Sequence, residues 1–316
     1  MRTPTSTYRL QIRPGFTLHD AAELVGYLGG LGVDAVYVSP VLTATTGSEH
    51  GYDTVDPTSI DPARGGEDGW RTFVTAAREH GLKVVLDIVP NHLGIAVPHE
   101  NPAWWSVLAQ GRDSAYAPWF DIDWDRIPIL VPILGDDGLD SVRLVTSPDS
   151  TPGTDSIHGG GPELHYHQHR FPIAAGTYSP GDTVADIHAR QHYRLVPWQN
   201  GASALNYRRF FAVTTLAGVR QEDPAVRAAT HARILQMVAD GDVDGLRVDH
   251  PDGLSDPKEY FEWLAAQAPG VWITGEKILE PGEDLPRSWP IAGTTGYEAM
   301  TETSQVFVDP AGEETW

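Results

Sequence analysis

The sequence predicts an α/β fold: a (β/α)8 barrel of the TIM type, truncated after about six strands, with an inserted subdomain after the third strand. Three observations support this class. Short β-branched runs alternate with amphipathic helical segments, which indicates parallel strands joined by helices. Polar residues recur at the ends of the third, fourth and fifth strands, which is typical of barrels. No Gly-rich phosphate-binding turn follows the first strand, which disfavours a dinucleotide-binding open sheet.

The first part of the chain, 1–92, is expected to supply the first three strands of the barrel. Its elements are, in order, a strand, a helix, a strand, a helix and a strand, at 6–12, 17–32, 33–41, 66–81 and 83–92. Both helical segments place apolar residues at helical spacing, and Gly32 and Gly81 stand where the helices end. The loop before the second helix is rich in Gly, Pro, Asp and Thr, a composition typical of loops that line a site.

The alternation stops between residues 93 and 202 and resumes in 203–316. A structureless connection of about 110 residues is uncommon in a compact domain, so 93–202 is predicted to form the inserted subdomain. In the last part, Asp223 is the expected cap of a helix and Pro224 its first residue. The elements expected there are a helix, the fourth strand, a helix, the fifth strand and a sixth strand, at 223–242, 243–250, 257–268, 271–278 and 293–298.

Composition and charge exclude several classes of partner. The chain has 22 Lys and Arg against 43 Asp and Glu, and its net charge of −21 repels nucleic-acid phosphates and anionic lipids. We therefore expect no nucleic-acid partner and no membrane partner. The absence of cysteine excludes disulfides and thiolate metal sites. The opening MRTPTSTYRLQI lacks the apolar stretch of a signal peptide, and no run approaches the roughly 18 apolar residues of a membrane span, so we expect a cytoplasmic protein.

Two carboxylates stand at the ends of consecutive predicted strands, Asp249 after the fourth and Glu276 after the fifth. If these strands are neighbours, their backbones lie about 4.8 Å apart, and the carboxyl groups can approach to about 5–5.5 Å, the separation found in retaining glycosidases. One carboxylate then attacks the anomeric carbon, and the other transfers the proton. Arg247 shares a strand face with Asp249 and is expected to keep it ionised and oriented.

The alternative interpretation of these residues is structural. In that case Asp249 and Arg247 form only an ion pair, and Glu276 is a solvated strand end. The third strand favours the catalytic interpretation because it presents further polar residues at the matching end: Asp87, Asn91 and His92. We therefore predict a catalytic site formed by the ends of three strands.

Several motifs resemble those of a known family. DIVPNH, GLRVDH and the Glu of ITGEKI resemble, in order, the first three signature regions of the α-amylase superfamily, glycoside hydrolase family 13. TYRLQ, HGYD, LNYRRFF and GTTGYE are more narrowly similar to the maltooligosyltrehalose synthases of that family. The resemblance implies a nucleophile, a general acid/base and a partner of the nucleophile, which are Asp249, Glu276 and Arg247. It also implies contacts to the sugar by Tyr52, His92 and His250, with Tyr52 stacking on the ring.

The resemblance implies an intramolecular transglucosylation of maltooligosaccharides, which converts the reducing-end α-1,4 linkage to an α,α-1,1 linkage by a retaining double displacement. It also implies no cofactor and a functional partnership with a trehalose-releasing hydrolase. An α-amylase or 4-α-glucanotransferase is the alternative within the same mechanism. Family members carry a fourth signature, a His-Asp pair after the seventh strand, and none follows Glu276 here. A fragment of a longer protein, or an inactive truncated barrel that only binds glucan, is therefore a further alternative.

Three alternating histidines in HYHQH suggest a different kind of site. His165, His167 and His169 are expected to share one face of a strand, an arrangement that can bind zinc. Nothing nearby supplies a partner for a catalytic water, and we assign no metal site. Some amylases hold a calcium ion near the residue that corresponds to Asn91, and the sequence leaves that question open.

Overall fold

The structure, a computed structural model, describes residues 3–146, 161–309 and 312. The strands are β1 (Thr7–Leu10), β2 (Ala35–Val38), β3 (Leu42–Ala44), β4 (Thr54–Ile60), β5 (Lys83–Ile88), β6 (His92–Gly94), β7 (Ile129–Leu134), β8 (Val142–Val145), β9 (Glu163–Tyr166), β10 (His169–Pro172), β11 (Tyr193–Pro197), β12 (Arg209–Phe210), β13 (Val213–Gly218), β14 (Gly245–Val248), β15 (Trp272–Gly275) and β16 (Gly293–Thr294). The helices are α1 (Leu18–Gly30), α2 (Gly66–Glu79), α3 (Pro102–Gln110), α4 (Val184–Ala189), α5 (Pro224–Ala239), α6 (Pro257–Gln267) and α7 (Tyr297–Gln305). None of the helices within these ranges is long and apolar enough to cross a membrane.

The central sheet has six parallel strands in the order β1, β2, β5, β14, β15, β16. Helices separate these strands along the chain: α1 connects β1 to β2, α2 precedes β5, α5 precedes β14, and α6 connects β14 to β15. This arrangement confirms the predicted alternation and the barrel class, with six strands forming an open arc of a (β/α) barrel. The sheet and its helices enclose a hydrophobic core that includes Val36, Leu86 and Leu246.

Two of the helices begin where the sequence supplies capping groups. At α1, Thr17 and Asp20 form a capping box: the Asp20 N–H donates to the Thr17 hydroxyl, and the Thr17 N–H donates to Asp20 Oδ2 at 2.7 Å. At α5, the Asp223 carboxylate accepts a hydrogen bond from the Ala225 N–H, and Pro224 is the first helical residue. The predicted cap and first residue of this helix are confirmed.

The third barrel strand is shorter than predicted. β5 ends at Ile88, and His92 begins β6, which pairs antiparallel with β13 instead of continuing the barrel sheet. Pro90 lies between them and has no N–H with which to extend the hydrogen-bond ladder. Beyond the break, the Asn91 carbonyl accepts a hydrogen bond from the Val219 N–H at 2.9 Å. The chain therefore leaves the barrel sheet before Asn91 and His92, whereas Asp87 lies within β5.

A second hydrophobic core lies in the middle of the chain and includes Trp104, Phe120 and Phe171. Three small sheets contribute to this region: β8, β9 and β10 are antiparallel, β7 and β11 are parallel, and β6, β13 and β12 are antiparallel. The second core continues past residue 202 to Val226. The division into 1–92, 93–202 and 203–316 therefore stays a prediction, and part of the middle segment lies outside the described residues.

The three histidines of HYHQH do not lie on one strand. β9 ends at Tyr166 and β10 begins at His169, so the chain turns between them, and His167 has a positive φ of 50°. His165 contacts Glu163, with Nε2 2.8 Å from the carboxylate. The expectation of a shared strand face is therefore wrong, because a hairpin turn interrupts the alternation. Within the described ranges, no group of three or more His, Asp or Glu side chains is arranged to hold a metal ion.

Candidate active site

Five of the six predicted site residues meet at one cleft of about 890 Å³, at the C-terminal ends of β5, β14 and β15. These five are Tyr52, His92, Arg247, Asp249 and Glu276. The sixth, His250, is not among the described residues that line the cleft. The lining also contains residues for which the sequence predicts no role: Arg9, Tyr37, His50, Phe210, Leu216, Thr295, Gly296, Tyr297 and Met300.

Arg247 joins three carboxylates at the floor of the cleft. Its Nη1 lies 2.9 Å from Asp87 Oδ1 and 2.7 Å from Asp249 Oδ1, and its Nη2 lies 2.8 Å from Glu276 Oε1. The sheet register explains this arrangement, because Arg247 stands opposite Asp87 on one side and Thr274 on the other, while Asp249 and Glu276 directly follow their strands. Asp87 and Asp249 are only 2% and 7% exposed, so this pairing lies largely out of water.

The second oxygen of Asp87 accepts hydrogen bonds from the cleft wall. Tyr52 and Tyr37 donate their hydroxyls to Oδ2 at 2.6 and 2.7 Å, and Arg9 Nη1 lies 3.2 Å away. Burial, and then the charge of Asp87, raises the pKa of both tyrosines, so both remain protonated donors. The sequence indicates no role for Asp87 beyond its strand end. The only signal for such a role is a carboxylate inside the apolar run KVVLDI.

Glu276 accepts two further hydrogen bonds. The His250 N–H donates to Oε2 at 3.1 Å, and the Tyr297 hydroxyl donates to Oε1 at 3.3 Å. His250 has a left-handed backbone conformation, with φ 44° and ψ 55°. Its ring packs against Phe210 and Phe211, with ring centroids 4.8 and 4.9 Å apart. The contact of His250 with the predicted acid/base is therefore made by its backbone.

His92 is buried in the wall of the cleft, with 1% of its surface exposed. Its Nε2 lies 3.0 Å from the carbonyl oxygen of Tyr52, and its ring centroid is 4.7 Å from that of Phe210. Burial lowers the pKa of His92 to about 4, so the ring is neutral at neutral pH. His92 and Tyr52 thus form one connected part of the wall.

Opposing effects act on the ionisation of Asp249, which Arg247 is predicted to favour. Burial has the largest effect and raises the pKa of Asp249, the charge of Arg247 lowers it, and the charges of Asp87 and Glu276 raise it. The pKa of Asp249 therefore lies above its ordinary value. Arg247 contacts the carboxylate as predicted, and its charge and its hydrogen bond both lower the pKa, which is the predicted direction. That Arg247 keeps Asp249 ionised stays a prediction.

We expect the raised pKa to give Asp249→Asn a stability advantage that depends on pH. The ordinary pKa of Asp249 is 3.8, whereas in the fold it is raised to about 7. Between these values the folded chain binds more protons than the unfolded chain, so the contribution of Asp249 to stability is lost as the pH rises. Denaturant unfolding of both proteins should show the advantage of the variant growing from pH ~4 to pH ~7. An advantage that is constant over this range would contradict the raised pKa.

Comparisons with known proteins agree with this geometry. Residues 17–268 match the model of the α-amylase catalytic domain. The chain is 45% identical, over 98% of its length, to a putative maltooligosyl trehalose synthase of Mycobacterium tuberculosis. Among solved structures, it is similar to the maltooligosyltrehalose synthase from Arthrobacter ramosus, with 51% identity and a TM-score of 0.91 over 98% of this chain. A hypothetical maltooligosyl trehalose synthase of Sulfolobus tokodaii matches with 35% identity and a TM-score of 0.81 over 97% of this chain.

These relatives are longer than this chain. The chain spans 39% of the Mycobacterium and Arthrobacter proteins and 42% of the Sulfolobus protein. The family match, in contrast, covers most of this chain and includes the strands that carry Asp87 and Arg247. The chain therefore belongs to the α-amylase catalytic-domain family, and within that family its sequence is similar to the maltooligosyltrehalose synthases.

Proposed function

We propose that this chain provides the nucleophile and the general acid/base of a retaining, intramolecular transglucosylation of maltooligosaccharides. The observation that carries the proposal is the Arg247 guanidinium, whose nitrogens lie 2.7 and 2.8 Å from the carboxylates of Asp249 and Glu276 in one cleft. Two carboxylates at neighbouring strand ends suit a double displacement at an anomeric carbon. The substrate class is inferred from the relatives, of whose length this chain covers about two fifths.

In the first half of the reaction, Asp249 attacks the anomeric carbon of the sugar next to the reducing end. A glycosyl ester forms as the bond to O4 of the terminal glucose breaks, and Glu276 gives its proton to that oxygen. Asp249 must be ionised for this attack, and the Arg247 Nη1, 2.7 Å from its Oδ1, stabilises the charge. When Glu276 has lost its proton, Nη2 of the same guanidinium is its counter-charge.

In the second half, the released glucose stays in the cleft and turns its anomeric hydroxyl toward the ester. Glu276 takes the proton of this hydroxyl, and the hydroxyl oxygen attacks the anomeric carbon and displaces Asp249. The new bond is an α,α-1,1 linkage when the α-anomer of glucose attacks, because two inversions retain the α configuration of the attacked carbon. No water is consumed, so the reaction is an isomerisation.

The wall of the cleft is suited to a sugar ring. The Tyr52 hydroxyl is fixed by Asp87 and Arg9, at 2.6 and 2.9 Å, which holds the aromatic ring in place for stacking. We assign Tyr52 and His92 to the subsite of the attacked glucose. For His250 we propose a positioning role through its N–H, in place of the sugar contact that the resemblance implies. The inserted subdomain is proposed to exclude water, so that transfer prevails over hydrolysis.

A proton NMR time course of maltopentaose with the purified chain tests this function. We expect reducing-end anomeric signals to disappear and an α,α-1,1 signal to appear without free glucose. Glu276→Gln should slow the conversion by about 10²–10⁴-fold, because both proton transfers need this carboxyl group. Glu280→Gln is a matched control in the same loop, where the residue is exposed, and should leave the rate unchanged.

The other products distinguish the alternatives. Free glucose or maltose would favour the amylase, and redistributed α-1,4 chains would favour the 4-α-glucanotransferase. Binding of maltopentaose without conversion would overturn the proposed activity for this chain and favour a polypeptide that only binds glucan. If the α,α-1,1 product forms, its terminal trehalose unit is the substrate of a trehalose-releasing hydrolase, the functional partner that the proposal includes.

A further inference from the structure

We propose that Arg208 is a positioning residue whose guanidinium supplies a positive charge between the barrel and the inserted segment. Because this charge occupies the site, the site binds no calcium ion. Arg208 directly precedes β12 and is not among the described residues that line the cleft. The proposal concerns the support of the cleft wall, so its test does not require the activity assigned above.

The guanidinium of Arg208 donates to oxygen atoms from four separate parts of the chain. Nη1 bonds to Asn91 Oδ1 at 2.7 Å and to the Gly253 carbonyl at 3.0 Å, and Nη2 bonds to the Val219 carbonyl at 2.8 Å. Nε bonds to Asp121 Oδ2 at 3.1 Å. These partners lie after β5, after β14, after β13 and in the inserted segment. One side chain therefore ties together the segments around the end of the barrel.

Two glycines make room for this arrangement. A Cβ at Gly218 would lie 2.6 Å from Cζ of Arg208, and a Cβ at Gly253 would lie 2.5 Å from Asn91 Oδ1. Both distances are shorter than packed atoms allow, so a side chain at either position would displace the guanidinium or its acceptor. Glycine at these two positions is thus part of the same site.

The guanidinium, acting through Asn91, and the Tyr52 carbonyl favour the same tautomer of His92. Arginine has donors only, so the Asn91 atom that faces Arg208 is its oxygen, and the amide nitrogen faces His92. That nitrogen lies 3.2 Å from His92 Nδ1, which must accept the hydrogen bond. The proton of the neutral ring is therefore on Nε2, which donates to the Tyr52 carbonyl at 3.0 Å. Arg208 thus positions the Tyr52 backbone through Asn91 and His92.

The oxygen atoms around Arg208 are of the kinds that bind calcium: one amide oxygen, two backbone carbonyls and one carboxylate oxygen. Some amylases hold calcium near the residue that corresponds to Asn91. In this chain all four oxygens are bonded to a guanidinium, and its positive charge repels a second cation. The residues present therefore do not fit a calcium ion at Asn91.

Thermal unfolding and nitrogen-15 NMR of the His92 ring test the proposal on the whole chain. For the unaltered chain, neither EDTA nor calcium should shift Tm by more than about 1 °C, and His92 should show one tautomer, protonated on Nε2. Arg208→Ala should lower Tm by about 5 °C or more, because four oxygens lose their donor. It should also give His92 a mixture of tautomers. The signals of His92 are identified by their absence in His92→Gln.

Two further variants keep the test decisive. Arg208→Lys retains a positive charge with donors only, so the Asn91 oxygen still faces it and we expect His92 to keep the single tautomer, whereas Tm should fall because one ammonium cannot bond all four oxygens. Arg220→Ala removes a partly exposed arginine that pairs with Glu222 at 3.1 Å, and it should change neither readout. A single, unchanged tautomer in Arg208→Ala, or a mixture of tautomers in Arg208→Lys, would overturn the positioning role. A loss of Tm in EDTA that calcium restores in the unaltered chain would overturn the exclusion of calcium.

Discussion

Asp249→Asn is expected to eliminate covalent labelling by 5-fluoro-α-glucosyl fluoride and to lower turnover on the order of 10⁴–10⁶-fold. The fluoride is a good leaving group, so the reagent forms the glycosyl ester without help from the general acid. The unaltered chain should gain the mass of one fluoroglucosyl group, and peptide mapping should place this group on Asp249. The amide of the variant cannot form the ester, so we expect no gain in mass.

Asp252→Asn is a matched control for this experiment. Asp252 lies in the turn that follows Asp249, but its carboxylate pairs with Lys277 at 3.0 Å and is not part of the described lining of the cleft. Labelling of Asp252→Asn should equal that of the unaltered chain. Labelling of Asp249→Asn on Glu276 or Asp87 would show that the nucleophile has been assigned to the wrong carboxylate.

Arg247→Met is expected to lower the free energy of unfolding by about 3–5 kcal/mol. The substitution removes the counter-charge shared by Asp87, Asp249 and Glu276, which lie 2.9, 2.7 and 2.8 Å from the guanidinium nitrogens. Two of these carboxylates are buried, so water cannot replace the lost partner. Urea unfolding at neutral pH, with the slope of the transition compared between the two proteins, measures the loss.

Two related variants show whether uncompensated charge causes the loss. Arg247→Lys keeps the positive charge, but its single nitrogen cannot contact all three carboxylates. The free energy of unfolding should therefore fall less than in Arg247→Met. Arg247→Met combined with Asp249→Asn should be less destabilised than Arg247→Met alone, because one unpaired carboxylate is gone. Equal losses for Lys and Met, or a loss below about 1 kcal/mol, would contradict a strong buried network.

Local signals account for the correct predictions of the fold. The apolar spacing of α5 and its cap residues Asp223 and Pro224 are properties of a few adjacent residues, and both are confirmed. Asp249 and Glu276 each follow an apolar run, and parallel neighbours bring such strand ends to one edge of a sheet. The meeting of these two carboxylates at one guanidinium therefore follows from strand order and register.

The missed features depend on contacts between distant parts of the chain. Asp87 is 50 residues from Tyr37 and 160 residues from Arg247, and no local pattern marks either pair. The raised pKa of Asp249 depends on burial, which a one-dimensional pattern does not show. The strand break at Pro90 lies within residues 83–92, whose composition predicts one continuous strand. In these cases tertiary packing, which the sequence pattern does not reveal, determines the outcome.

The left-handed backbone of His250 means that the turn after Asp249 weakens the fold that carries it. A residue with a Cβ in this conformation costs about 1–2 kcal/mol relative to an ordinary one, and glycine avoids this cost. Here the strained residue directly follows Asp249 and donates its N–H to Glu276. The rest of the chain must therefore compensate for this turn. Engineering for thermostability should leave His250 unchanged and add favourable packing elsewhere, because its proposed positioning role requires the conformation that costs stability.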